Sequence, residues 1–281
     1  RGLLLYHGLG SGKTASSISI VEGFNDKKVV VMLPASLEDN YRKEIYKYGD
    51  ISYKKNFNWT NVEIDENIRI ELNNKGYDNN YINSISKNNR IWLINKNGEY
   101  KKSNYIELEN KDKEKIENQI KLILEYKYSF IRYNGGYSAL TNILKLLKEN
   151  IDEIKKRLNI NKLKLEKDDL SRIFNYIFKN LEFNPFNNKI IFIDEVHNLI
   201  SRIVNNSSIS GIIYRLLIYA KDCRIILLSG TPVINHPFEL GIMFNIIKGY
   251  TKNYKFNLKL INNFNKLYNI LRKKLLIDRI I

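Results

Sequence analysis

Gly8-Leu9-Gly10-Ser11-Gly12-Lys13-Thr14 is the segment whose residue types and spacing point most directly to chemistry. It follows an apolar run, Leu3-Leu4-Leu5-Tyr6, and leads into a stretch that reads as helix. A strand, a glycine-rich turn ending in Gly-Lys-Thr and a helix form a cradle for the phosphates of a nucleoside triphosphate. Glycines let backbone N–H groups approach the phosphates without a Cβ clash. The helix N-terminus adds its positive dipole end. Lys13 is placed to reach the β and γ phosphates, and the Thr14 hydroxyl to ligate Mg²⁺. His7 occupies the first position, where glycine or alanine is usual; the later glycines still set the cradle.

Two further segments complete the constellation. Ile190-Ile191-Phe192-Ile193 reads as a buried strand and ends in Asp194-Glu195-Val196-His197. Asp194 is suited to hold Mg²⁺, and Glu195 to polarise the water that attacks a phosphoryl group. Ile225-Ile226-Leu227-Leu228 is another apolar run, closed by Ser229-Gly230-Thr231-Pro232. Ser229 and Thr231 have hydroxyls able to bond across to the acidic loop and His197, relaying the nucleotide state elsewhere.

These segments need a scaffold that brings strand ends together. Short apolar runs at Leu3–Tyr6, Val29–Leu33, Ile190–Ile193 and Ile225–Leu228 alternate with helical stretches. That pattern predicts an α/β fold, a mostly parallel sheet with helices on both faces and ligands at the carboxyl ends of its strands. The middle of the chain, rich in Lys, Asn and Glu, reads as an α+β insertion at about 50–127. Within it, Arg90–Asn110 is predicted as a β-hairpin turning at Asn97-Gly98, and Lys111–Tyr126 as a helix. Tyr128–Tyr133 is predicted to rejoin the sheet, with helices over Tyr137–Asn150 and Arg172–Leu181. The lobe then spans 1–250, and 251–281 reads as a helical tail or linker.

Lys and Arg number 46 against 30 Asp and Glu, a formal net charge of +16 in 281 residues. Such an excess favours a polyanionic partner, nucleic acid first. Asn, Ile, Lys and Tyr have A/T-rich codons, so nucleotide composition contributes to the lysine excess. The lone Cys223 excludes an internal disulfide, suits a reducing compartment and reads as a structural thiol ahead of a strand. No apolar run is long enough to span a bilayer. The chain begins at Arg1 rather than Met, and its first strand starts at once, so we expect a piece of a longer protein.

In order and wording, the three segments resemble the motifs of helicase superfamily 2, and Val31-Met32-Leu33-Pro34-Ala35-Ser36-Leu37 is similar to its motif Ia. With Phe130-Ile131-Arg132-Tyr133-Asn134-Gly135 and the run from Ser229 to Leu240, they look like the helicase-type ATPases of large cytoplasmic DNA viruses. That group includes the poxvirus early transcription factor ATPase subunit and nucleoside triphosphate phosphohydrolase I. The resemblance implies a RecA-like P-loop lobe that binds ATP and Mg²⁺. It makes Lys13, Asp194, Glu195 and His197 catalytic and Gly8 to Thr14 the phosphate cradle. Ser229, Gly230 and Thr231 would couple hydrolysis to movement, while Pro34, Ala35, Ser36 and Asn134 would touch nucleic acid, DNA rather than RNA. A second RecA-like lobe would supply a late arginine, and viral RNA polymerase is a further partner. The setting would be a cytoplasmic viral factory or the virion, with no membrane. A transcription-factor subunit that binds promoter or polymerase is the alternative.

Trp92, Tyr100 and Tyr105 lie among lysines, including Lys101 and Lys102, in a pattern able to stack on bases. The plainer reading is core and rim aromatics of a small insertion. His236 reads as a surface or packing histidine.

Overall fold

Aliphatic and β-branched runs build the strands, and their alternation decides which layer each side chain enters. The computed structural model describes residues 2–6, 8, 12–24, 27–86, 88–95, 103–148, 150–162, 164–205, 207–231 and 236–251. In chain order the elements are β1 (Gly2–Tyr6), α1 (Lys13–Glu22), β2 (Lys28–Leu33), α2 (Glu38–Tyr48), β3 (Trp59–Glu63), α3 (Glu66–Asn74), α4 (Asn79–Ile85), β4 (Arg90–Ile94) and α5 (Asn110–Lys127). They continue with β5 (Tyr128–Arg132), α6 (Tyr137–Lys145), α7 (Asn150–Arg157), α8 (Lys167–Lys179), β6 (Lys189–Ile193), α9 (Val196–Val204), α10 (Ser208–Tyr219), β7 (Arg224–Ser229) and α11 (Phe238–Lys248).

Five strands pair in parallel in the order β1-β7-β6-β2-β5. Val30, Met32, Ile191, Ile193, Ile225 and Leu227 enter one apolar layer with residues of α6 and α8 to α11. Val29, Val31, Leu33, Ile190, Phe192, Ile226 and Leu228 enter the other with α1, α2 and α5. Burial on both faces is why these strands read as unbroken apolar runs. Phe192 is fully buried, and its truncation to alanine would cost about 3–5 kcal/mol. The α/β architecture expected from the motifs, a mostly parallel sheet covered on both sides, is the one observed.

The predicted hairpin over Arg90–Asn110 does not form. β4 pairs instead with β3, antiparallel, Trp59 opposite Ile94 and Glu63 opposite Arg90. Tyr105–Glu107 is a single 3₁₀ turn. Just before it, the Asn104 amide occupies the edge of β3: its oxygen accepts from Trp59 N and its nitrogen donates to Trp59 O, both at 2.9 Å. A side chain thus does the work of a neighbouring strand. The Asn97-Gly98 turn lies outside the described residues.

α5, inside the stretch expected as an insertion, packs on the main sheet through Ile116, Ile120 and Ile123. Its buried Gln119 accepts from Trp92 N at 3.0 Å and donates to Trp92 O at 2.7 Å, tying the small sheet to the large one. The insertion is therefore not wholly separate from the sheet layer. Trp59 and Trp92 are buried core residues, Tyr105 is half-buried, and Tyr100, Lys101 and Lys102 lie outside the described residues.

The helix predicted over Tyr137–Asn150 breaks after Lys145, where Lys148 takes a left-handed backbone (φ 49°), and α7 follows. α8 begins ahead of the predicted Arg172, because the Asp169 carboxylate accepts the Glu166 N–H at 3.0 Å and caps the first turn. Cys223 is buried ahead of β7, as expected. The residues up to Tyr250 form one compact unit; the tail expected over 251–281 lies, apart from Thr251, outside the described residues. Among the described residues, no helix is long and apolar enough to cross a membrane.

Candidate active site

All three chemistry-bearing segments leave the sheet at carboxyl ends of adjacent strands: the glycine-rich segment follows β1, Asp194-Glu195 follows β6, and Ser229 closes β7 between them. Gly12 is the N-cap of α1 in a left-handed conformation (φ 77°), which a side chain would adopt only at about 1–2 kcal/mol. Lys13 opens the helix. Gly8 is described and exposed, whereas Leu9, Gly10 and Ser11 lie outside the described residues.

Lys13 Nζ lies 3.5 Å from Glu195 Oε1, with both side chains largely shielded, 13% and 25% exposed. Between them and α2 is a cleft of about 350 Å³, lined by Gly12, Lys13, Thr14, Asp194 and Glu195 together with Asn40, Glu44 and Tyr48. The last three belong to α2 and carry no motif signal in the sequence.

The acidic turn is held under constraint. Glu195 takes a left-handed backbone (φ 45°, ψ 51°) as N-cap of α9, a conformation that costs a non-glycine residue about 1–3 kcal/mol. The Tyr133 hydroxyl, buried beneath it, lies 3.1 Å from both the Asp194 and the Glu195 carbonyl oxygens. Glu195 N donates to Asp194 Oδ1 at 2.9 Å. Burial pushes the Asp194 carboxyl up to about 6, the Glu195 charge adds to this, and the Glu195 N–H and Lys13 oppose it. Tyr133 belonged to a segment noted in the sequence, but a tyrosine hydroxyl aimed at backbone leaves no pattern in it.

His197 joins the second and third segments. Its Nδ1 is 2.9 Å from Ser229 Oγ and 3.4 Å from Glu195 Oε2. Ser229 is fully buried and its Oγ also accepts from Thr231 N at 3.1 Å. Gly230 forms the bend between these two residues. His236 is exposed.

At the neighbouring strand ends, Pro34 is half-buried and Ala35, Ser36 and Asn134 are exposed. β2 and β5 pair with Leu33 opposite Arg132, so these loops adjoin. Glu38 ties them together, accepting from Arg132 Nε at 2.6 Å and Arg42 Nη2 at 2.8 Å. Burial resists ionisation of Glu38, but these two arginines outweigh it and hold its carboxyl below the usual range. Arg42 also lies over the Phe130 ring, 3.8 Å from its centroid. Arg42 and Arg132 add two half-exposed cations to this rim that sequence reading did not single out.

The arrangement has the parts to hold a phosphate chain and a divalent cation. Among the described lining residues the carboxylates of Asp194, Glu195 and Glu44 meet one ammonium, that of Lys13, so the cleft has room in its charge balance for a further cation. Among the described residues no group of three His, Cys, Asp or Glu could hold a metal unaided. The Thr14 hydroxyl and the Asp194 carboxylate line this cleft, oxygen donors of the kind that magnesium takes.

A candidate ATP-dependent RNA helicase of Acanthamoeba polyphaga mimivirus, R563, is 23% identical over 249 residues, covering 88% of this chain and 29% of that protein. Nucleoside triphosphatase I of Choristoneura biennis entomopoxvirus is 36% identical over 94 residues, 31% of this chain and 14% of that one. The virus proteins that this chain is similar to thus carry the names of helicase candidates and of a nucleoside triphosphatase. An African swine fever virus protein named as a termination factor NPH-I homolog matches at 35% over 66 residues, 22% of this chain and 9% of that one. The chain thus spans under a third of the length of these virus relatives. A solved Sulfolobus solfataricus SWI2/SNF2 ATPase core, in complex with dsDNA, aligns over 88% of this chain and 31% of its own at 15% identity and a TM-score of 0.34. No protein-family model matches the chain.

Proposed function

We propose that this chain is the ATP-binding lobe of an ATP-dependent nucleic-acid motor, a helicase or DNA translocase serving viral transcription or replication. The approach of Lys13 to Glu195 inside a cleft shared with Thr14 and Asp194 carries this reading. Lys13 and the N–H groups that open α1 hold the phosphates of ATP. Thr14 and Asp194 would hold a magnesium ion, which would supply charge neutralisation for the triphosphate. Glu195 polarises the attacking water, and the strained turn clamped by Tyr133 fixes its carboxylate. His197, Ser229 and Thr231 pass the state of the acidic turn to the loop after β7. Pro34, Ala35, Ser36 and Asn134, flanked by Arg42 and Arg132, face the nucleic acid. A second RecA-like lobe completes the cleft, and the viral factory or virion is the setting.

The direct experiment is nucleic-acid-stimulated ATP hydrolysis by the full-length protein. Duplex DNA should stimulate turnover, and Lys13→Ala or Glu195→Gln should abolish it; no stimulation by any DNA or RNA opposes the reading. The likeness to a protein named as a termination factor homolog favours a second reading, a transcription-factor subunit that spends ATP at the polymerase. Co-purification with viral RNA polymerase subunits, without processive strand separation, would select it.

A further inference from the structure

The amino ends of the parallel strands, opposite the cleft, carry an unusual cluster of like charge. Lys28 opens β2 and Lys189 opens β6, and the two are paired in register. Neighbours in register on parallel strands point to the same face about 5 Å apart, and like charges placed so repel. A third lysine, Lys148, is brought to them by the turn after α6, where it holds a left-handed backbone (φ 49°). Lys28 Nζ and Lys148 Nζ stand over one ring, that of Tyr126, at 3.9 and 5.6 Å from its centroid. The carboxylate that faces this pair is Asp78, engaged by the Tyr126 hydroxyl at 2.7 Å and the Tyr81 N–H at 2.8 Å.

The cluster is costly as it stands. Burial first, then Lys148, draws the Lys28 amine down to about 8, and Asp78 only partly compensates. Burial and Lys148 lower Lys189 as well. A strained residue that adds a third ammonium to two crowded ones is what an oxyanion site needs and what an empty surface would shed. Among the described residues, Asp78 is the carboxylate that offsets Lys28, and no acid offsets Lys189, which leaves a local excess of positive charge. Tyr126, itself stacked on Tyr81 at 3.8 Å, gives Lys28 and Lys148 a rigid floor, while Lys189 Nζ donates to the Asn187 carbonyl at 3.3 Å.

We propose that Lys28, Lys148 and Lys189 form a phosphate-binding site at the amino edge of the sheet, separate from the nucleotide cleft. β2 alone, six residues long, puts the two sites roughly 16 Å or more apart. The ligand is a phosphate group, supplied by a nucleic-acid backbone or by a small phosphorylated molecule.

The test uses a Lys13→Ala background, so that the cleft does not contribute. Binding of labelled duplex and single-stranded oligonucleotide, and of inorganic pyrophosphate, is measured for this chain and for a variant carrying Lys28→Gln, Lys148→Gln and Lys189→Gln. A control variant removes Lys121, Lys156 and Lys164, exposed lysines elsewhere. For a backbone phosphate, the site variant loses about 3 from the slope of log K against log salt, about one per lysine, and binds at least several-fold more weakly than the control. For a small molecule, pyrophosphate binding is lost in the site variant and kept in the control, with oligonucleotide binding equal in both. Equal binding of every probe by the two variants overturns the site. Lys148→Gln alone, which relieves repulsion and should not lower the melting temperature, carries the same comparison if the triple variant fails to fold. Failure here leaves the ATP-cleft reading untouched, since that reading rests on Lys13 and Glu195.

Discussion

His197 and Ser229, 32 positions apart, meet at 2.9 Å between Nδ1 and Oγ. They close a path from the acidic turn after β6 to the loop after β7. Ser229 is fully buried, and its Oγ also receives Thr231 N. Ser229→Ala would leave that N–H without its partner and His197 Nδ1 with the longer contact to Glu195 Oε2 alone, a loss of about 1–3 kcal/mol. If the path couples hydrolysis to movement, Ser229→Ala and His197→Ala should keep ATP affinity within about two-fold and lose most nucleic-acid stimulation of turnover. Parallel titrations of ATP and of DNA against each variant make that comparison; unchanged stimulation in both would remove the coupling role.

Tyr133 should matter more than its distance from the phosphate cradle suggests. Its hydroxyl is hydrogen-bonded at 3.1 Å to the carbonyls of both Asp194 and Glu195. Tyr133→Phe removes only that hydroxyl. The expected cost is about 1 kcal/mol of stability, read as a lower melting temperature, and a drop in kcat larger than any change in KM, because the turn that aims Glu195 loosens.

Asp194 sets a pH dependence whose sign is fixed. Its carboxyl ionises at about 6 in the folded chain against an ordinary 3.8. Between those values the folded state retains a proton that the unfolded state has released. The resulting stabilisation is fully present below about pH 4 and is lost as pH rises through 6, a change on the order of 3 kcal/mol. Asp194→Asn should therefore melt higher than wild type at pH 7.5, and the gain should shrink to nothing near pH 4. Magnesium binding needs the ionised form, so Mg·ATP affinity should fall below pH 6 in wild type. Melting curves across that range check the first statement and titrations the second.

The site was more legible in the sequence than the small sheet. Gly12-Lys13-Thr14 and Asp194-Glu195 each combine side chains with backbone geometry in a short span, and each sits at the end of an apolar run. Their meeting follows once those runs lie side by side. The antiparallel sheet failed for the opposite reason. Asn97-Gly98 is a strong local turn signal, but β4 takes a partner some 27 to 35 residues upstream, and Asn104 blocks the edge of β3 with its side chain. Period-two patterning marks a strand without naming its partner. Tyr133, Gln119 and the Glu38 pair of arginines went unassigned because each acts through a long-range contact to backbone or to a single side chain.

Hydrolysis by this chain alone should be slow. Among the described residues, no arginine lines the cleft. An arginine supplied from outside such a site is worth about 10³–10⁵ in rate. Turnover by these residues alone should fall at least about a thousand-fold short of an ordinary ~10 s⁻¹, and the full-length protein should recover it. A steady-state phosphate-release assay on both forms decides.

Calorimetric titration of this chain with Mg·ATP, beside Lys13→Ala and beside the wild type in excess EDTA, tests the account at its root. We expect saturable binding by wild type, at least about ten-fold weaker in Lys13→Ala, a loss of about 1.4 kcal/mol, and weakened likewise without the metal. Equal binding in all three arms, or none by wild type, would contradict it.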